Sequence, residues 1–190
     1  TPGNVLRQAE MVKIVAEYFP NVKVLDFEPV CTDRDSAQTM DDFYHQYTLS
    51  FFEALNVAEA HSIRLDSIAM RMAQGRSTHF CPGDYCISPT GIVTACHRSV
   101  TQADSGYETF VYGKLYPDGT VYTDIAKLQA IQNMKMAKNY EACQSCFAKM
   151  NCSGGCLYQR LLLNETQFQS HCHFIRNFLV QYLLKIQNKA

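Results

Sequence analysis

The chain has 190 residues, 47% hydrophobic and 18% charged, with 17 basic side chains against 18 acidic ones and a formal net charge of −1. That length can bury a real core without disulfide staples, and a near-neutral balance without long runs of either sign excludes the basic field of a nucleic-acid binder. The longest apolar stretches, FLVQYLLKI and SIAMRMA, are broken by polar or charged residues and are too short to cross a bilayer.

The opening TPGNVLRQ shows neither an initiator Met nor a secretory signal, so the expected compartment is the reducing cytoplasm. From Asn4, read as an N-cap, Val5, Leu6, Ala9, Val12, Val15 and Phe19 recur at helical spacing until Pro20 stops them. The β-branched and aromatic run VKVLDFEPV then reads as a strand with its polar exit at Glu28, closed by Pro29. CTDRDSAQT, from Cys31 to Thr39, reads as a loop. Phe43, Tyr44, Tyr47, Phe51, Leu55 and Ala58 follow as the apolar face of a long amphipathic helix. Ile63 and Leu65 alternate as a short strand, and IAMRMA continues as a short helix. This αβαβ order predicts a parallel sheet with crossover helices, with too few strands to close a barrel.

Beyond Gly75 the punctuation changes to Cys, Gly and Pro, which places a boundary near Ser77 and divides the chain into residues 1–77 and 78–190. YCISPTGIVTAC predicts a hairpin turning at Pro89-Thr90-Gly91, and LYPDGTVYTD a second one turning at Asp118-Gly119. A helix is expected from Asp124 to Met136, then a cysteine-rich loop. The last helix, HFIRNFLVQYLLKIQNK, carries Phe174, Phe178, Tyr182 and Ile186, flanked by Ile175, Leu179 and Leu183, as one apolar face that packs on a neighbour.

The sulfur pattern carries the chemistry. Cys81 and Cys96 flank Gly91 as C-x9-G-x4-C, Cys143, Cys146, Cys152 and Cys156 form C-x2-C-x5-C-x3-C, and Cys172 follows on the last helix. Cys86 lies inside the first hairpin and Cys31 stands far away. In a reducing compartment clustered thiols point to metals, because a C-x2-C turn aims two sulfurs and nearby N–H groups at one ion or cluster. Ligand type alone does not choose between structural zinc and iron–sulfur.

The ordered cysteines, Gly91 and the hairpin around it together resemble the SPASM domain that follows the barrel in many radical S-adenosylmethionine enzymes, over roughly Thr78 to Lys185. KVLDFEPV and FYHQYTLSFFEALNVAEA are similar to the end of the partial barrel that precedes such domains. The resemblance implies an α+β chain: an incomplete α/β segment, the end of a partial radical SAM barrel, then a SPASM domain with β-hairpins, a cysteine-rich loop and a C-terminal helix. It also implies two auxiliary 4Fe-4S clusters with interleaved ligands. Cys81, Cys96 and Cys156 would serve auxiliary cluster I; Cys143, Cys146, Cys152 and Cys172 would serve auxiliary cluster II. Fully ligated members carry another cysteine before the one matching Cys81, whereas MAQGRSTHF offers only His79. Cys86 is the candidate fourth ligand, and if it faces away, cluster I has an iron open to a substrate thiolate, water or His.

The C-x3-C-x2-C motif of the cluster that cleaves S-adenosylmethionine occurs nowhere in these residues. The chain is therefore expected to be the C-terminal part of a larger oxidoreductase of the maturase type and not catalytic alone. S-adenosyl-L-methionine and a third 4Fe-4S cluster would belong to the full-length enzyme. There, the resemblance implies, a 5′-deoxyadenosyl radical abstracts a substrate hydrogen while the auxiliary clusters accept or relay an electron or ligate the substrate. The partners implied are a peptide or protein substrate, the missing N-terminal radical SAM barrel and an electron donor, with no nucleic acid and no membrane. Two other readings stay open: a zinc-binding structural or interaction module, and a stand-alone iron–sulfur electron-transfer protein.

Around these ligands several residues have two readings each. Cys86 is a ligand or a buried small hydrophobe, and His97, His171 and His173 are hydrogen-bond donors to sulfur or ordinary surface and core histidines. Gly154 and Gly155 give the sharp turn between ligands of different clusters. Glu28 and Cys31 are candidates for a substrate pocket at a strand end. Lys13, Arg64, Arg71 and Arg160 read as solvated charges, and Phe174, Phe178 and Tyr182 as core.

Overall fold

A computed structural model of the chain describes residues 1–30, 35–81 and 85–188. The fold is α+β, in two compact units: Thr1–Gly75 together with Glu165–Ala190, and Arg76–Asn164. The last helix thus groups with the first segment, whereas a division at residue 77 keeps it with the second.

In the first unit a 3-10 turn at Val5–Arg7 leads into α1 (Gln8–Tyr18), and the helix gives way just before Pro20, whose ring disfavours helical geometry in the residue ahead of it. Val5, Ala9 and Val12 are buried, but Leu6 and Phe19 are exposed, so the buried stripe is narrower than the apolar pattern. Asn4 Oδ1 accepts from the amino group and hydroxyl of Thr1, and the expected side-chain cap is not made.

Only Val24–Asp26 of VKVLDFEPV forms a strand, β1. Its partner β2 (Arg64–Asp66) runs parallel, with Leu25 opposite Leu65, and α2 (Ala37–Ala60) makes the crossover. Ser36 starts α2 by accepting the Thr39 N–H at 3.0 Å, so the helix begins inside the stretch read as loop. All six apolar positions of its predicted face are buried. Ser67 caps α3 (Ile68–Gln74) in the same way, through the Met70 N–H.

The final helix of the chain, which starts at Glu165 rather than His173, packs on α2 through rings. Tyr44 stacks on Phe174 at 4.4 Å, while Phe178, fully buried, meets Phe51 and Phe52 at 5.3 and 5.0 Å. Beyond Leu179 the apolar face emerges: Leu183 is 54% exposed and Ile186 44%, so the expected continuous packing stops there. Among the described residues no helix is long and apolar enough to cross a membrane.

The second unit is built on a four-stranded antiparallel sheet in chain order: β3 (Cys86–Ile87), β4 (Ile92–Thr94), β5 (Val111–Leu115) and β6 (Val121–Thr123). A short α4 (Tyr107–Phe110) leads into β5. Both hairpins turn where the sequence places them. Gly91, at φ +80°, has the Leu115 N–H on its carbonyl at 2.6 Å, and an added Cβ would run into the Leu115 carbonyl oxygen. Asp124 then caps α5 (Ile125–Met134), accepting the Lys127 N–H at 2.9 Å. A 3-10 turn at Ala137–Asn139 and three short helices follow: α6 (Glu141–Gln144), α7 (Lys149–Cys152) and α8 (Leu157–Leu162). The chain's last helix, Glu165–Gln187, is α9. Val93, Ala95, Phe110, Tyr112, Ile131 and Leu157 form the core of this unit.

Candidate functional site

That core is what gathers the sulfurs. Cys96 directly follows Ala95 and packs against the cluster, and Cys156 directly precedes Leu157 at the start of α8. Lys135 lies one helical turn beyond Ile131, at the end of α5, so Leu128, Ile131 and Lys135 share the inward face of one helix. The next residue, Met136, forms an isolated antiparallel bridge with His79, which brings the approach to Cys81 against the end of α5. Three cysteines from well-separated segments thereby meet around the end of one helix.

Their electrostatics record the meeting. Burial pushes the Cys96 thiol above its ordinary value; the Arg98 N–H bonded to its sulfur pulls the other way, Cys156 and Cys81 push it further up, and Lys135 draws it down. Lys135 itself is buried, 4% exposed, with Nζ 3.6 Å from Cys81 Sγ and 3.4 Å from the Ala95 carbonyl oxygen. Cys81 and Cys156 are both close enough for their charges to act on Cys96. Even so, among the described residues no three His, Cys, Asp or Glu side chains stand at the geometry of a single metal ion.

No family model, curated protein or solved structure matches the chain.

The second group of thiols follows the chain from Tyr140. Cys143 sits in α6, the Cys146 N–H donates to the Cys143 carbonyl oxygen at 3.3 Å, and Cys152 closes α7. Ser153, Gly154 and Gly155 then take three consecutive left-handed conformations, at φ +55°, +89° and +79°. Gly154 presses on Ala137, where a Cβ would meet the Ala137 Cα at 3.1 Å. The turn read from the two glycines is real, and it starts one residue early, at Ser153, whose hydroxyl donates to the Ser77 carbonyl oxygen at 2.7 Å.

Arg160 is no solvated charge. Its Nη2 lies 3.4 Å from Cys143 Sγ, its Nε donates to the Gly154 carbonyl oxygen, and its guanidinium lies 3.7 Å over the Tyr140 ring. It ties Cys143 to the glycine turn, a role for which the sequence offers no motif.

The remaining candidates scatter. Cys86 is half-buried in β3 opposite Thr94, and its charge acts on Tyr112, whose hydroxyl is pushed up by burial, then by Tyr85 and Cys86. His79 Nδ1 lies 2.9 Å from the Thr78 hydroxyl oxygen, and His97 is exposed. Cys172 is half-buried on α9, in the first unit. Its neighbour His171 is buried among Tyr44, Phe168 and Phe174, with Nδ1 3.4 Å from the Tyr44 hydroxyl, so it is a core histidine; His173 is exposed. Cys31 lies outside the described residues.

At the strand ends of the first unit Arg71 is exposed, as read, yet it is not without partners. It pairs with Asp26 at 2.8 Å, Glu28 at 2.6 Å and Asp66 at 3.4 Å, while the Ile68 N–H donates to Glu28 Oε1. Lys13 and Arg64 are exposed, as read.

Proposed function

We propose that this chain is the iron–sulfur-binding portion of a radical SAM/SPASM enzyme that modifies a peptide or protein. Cys81, Cys96 and Cys156 hold one auxiliary cluster, and Cys143, Cys146 and Cys152 belong to a second. The observation that supports it is the buried Lys135 ammonium 3.6 Å from Cys81 Sγ, with Cys96 within reach of the charges of Lys135, Cys81 and Cys156. Burying a cation is costly unless negative charge faces it, and thiolates supply that charge. The Arg98 N–H on Cys96 is the kind of N–H···S bond that sets a cluster's potential.

When bound, the clusters supply one-electron chemistry or an iron that ligates substrate. The chain's own part is to order three sulfurs on one core, deliver N–H and cationic donors to them, and turn sharply at Ser153–Gly155 so that Cys152 and Cys156 serve different sites.

Anaerobic reconstitution with iron and sulfide tests this: the full chain should turn brown and hold iron and sulfide in equal amounts, and a colourless chain binding zinc alone overturns it. C156A should lose the iron of one cluster and spare most of the other. C143A should do the reverse, and the opposite pattern refutes the interleaved ligand sets.

A further inference from the structure

Lys135 has no place in the ligand pattern, yet it is the least expected side chain in the second unit. An ammonium 4% exposed would ordinarily have a carboxylate beside it. Among the described residues Lys135 has none: its contacts are Cys81 Sγ at 3.6 Å and the carbonyl oxygen of Ala95, the residue before Cys96, at 3.4 Å. The Ala95 carbonyl accepts one hydrogen bond but brings no charge. The remaining negative charge has to come from the sulfurs and whatever they hold.

The placement is also fixed. Lys135 follows Ile131 by one turn on the inward face of α5, the Lys135 N–H donates to the Ile131 carbonyl oxygen, and the His79–Met136 bridge locks the following residue against the segment that delivers Cys81. A lysine held at both ends of its reach behaves as a fixed charge rather than a flexible surface cation.

Resting on the iron–sulfur reading above, we propose that Lys135 is the positioning residue of the Cys81/Cys96/Cys156 cluster: a buried positive charge that hydrogen-bonds Cys81 and raises that cluster's reduction potential. The direction follows from charge. Reduction adds one electron to an already anionic group, and a cation in a poorly hydrated site favours the more negative state. Lys135 does not ligate iron, because an ammonium donating to sulfur and to a carbonyl has no lone pair to offer.

The test is a redox titration of the reconstituted full chain followed by electron paramagnetic resonance, with C143A used to assign the two signals. K135M keeps the length and removes the charge; K135R keeps the charge. For K135M the iron content should match wild type, and the Cys81/Cys96/Cys156 signal should titrate at a more negative potential. The reduction equilibrium should change about tenfold or more, which is ~59 mV for one electron. The other signal should stay in place, and K135R should restore most of the shift. An unmoved potential in an iron-replete K135M overturns the role of Lys135 alone. Loss of iron comparable to that of C81A makes it a ligand and overturns the proposal. A wild-type chain that takes up no iron overturns the iron–sulfur reading and this inference with it.

Discussion

Glu28 shows how far a residue's environment can depart from its sequence context. It stands at the exit of β1 with Asp26, and the Arg71 guanidinium pairs with both of them and with Asp66. Burial, and after it the charge of Asp26, pushes the Glu28 carboxyl up to about 7, against the pull of Arg71 and of the Ile68 N–H. The folded state therefore holds a proton that the unfolded chain releases near the ordinary value of 4.5. This contribution to stability is fully present below that value and is lost as pH rises through about 7. E28Q should flatten the decline in the urea midpoint of the apo chain across this window, and parallel profiles for the two proteins would refute the raised value. The group is partly exposed, so the effect on total stability is small. As a pocket residue Glu28 has another duty already: it fastens the end of β1 to the start of α3.

The hairpins and long helices were legible because each carries a local signal strong enough to survive tertiary packing. Asp118-Gly119 and Pro89-Thr90-Gly91 set the turns, and the spacing of Phe43, Tyr44, Tyr47, Phe51, Leu55 and Ala58 set the buried face of α2. Strand lengths were not legible, since β1 ends where pairing with the three-residue β2 ends and not where β-formers end. Two boundaries were hidden in polar stretches: Ser36 caps a helix inside a polar run, and α9 begins at Glu165, ahead of its apolar stripe. Gly91 gives the sharpest prediction at this scale. Its left-handed φ and the Leu115 carbonyl behind it leave no room for a methyl group, and the Leu115 N–H bonded to its carbonyl makes relaxation costly. G91A should cost about 2 kcal/mol or more in urea unfolding of the second unit. A loss below ~0.5 kcal/mol would mean that the hairpin yields easily.

At the scale of the whole molecule, each unit has its own core, and only one of them contains the thiols that meet. Cys81, Cys96, Cys156 and Lys135 all belong to Arg76–Asn164, while Phe51, Phe174 and Phe178 belong to the unit formed by the two ends of the chain. That partition escaped the sequence because the final helix is contiguous with the cysteine loop yet packs on α2, about 130 residues back, where Tyr44 stacks on Phe174 and Phe178 meets Phe51 and Phe52. Lys135 escaped it for a related reason, since a lysine continuing an apolar face reads as the face's end until the sulfurs opposite it are seen. The partition can be tested by damaging one core and reading the other. Phe178 is fully buried between Phe51, Phe52 and Phe174, so F178A should cost about 3–5 kcal/mol, visible as an early transition in hydrogen exchange of α2 and α9. Amides of β4, β5 and α5 should keep their protection, because their apolar contacts are with Val93, Phe110, Tyr112, Ile131 and Leu157. Equal loss of protection across both sets would show that the two cores unfold as one cooperative body.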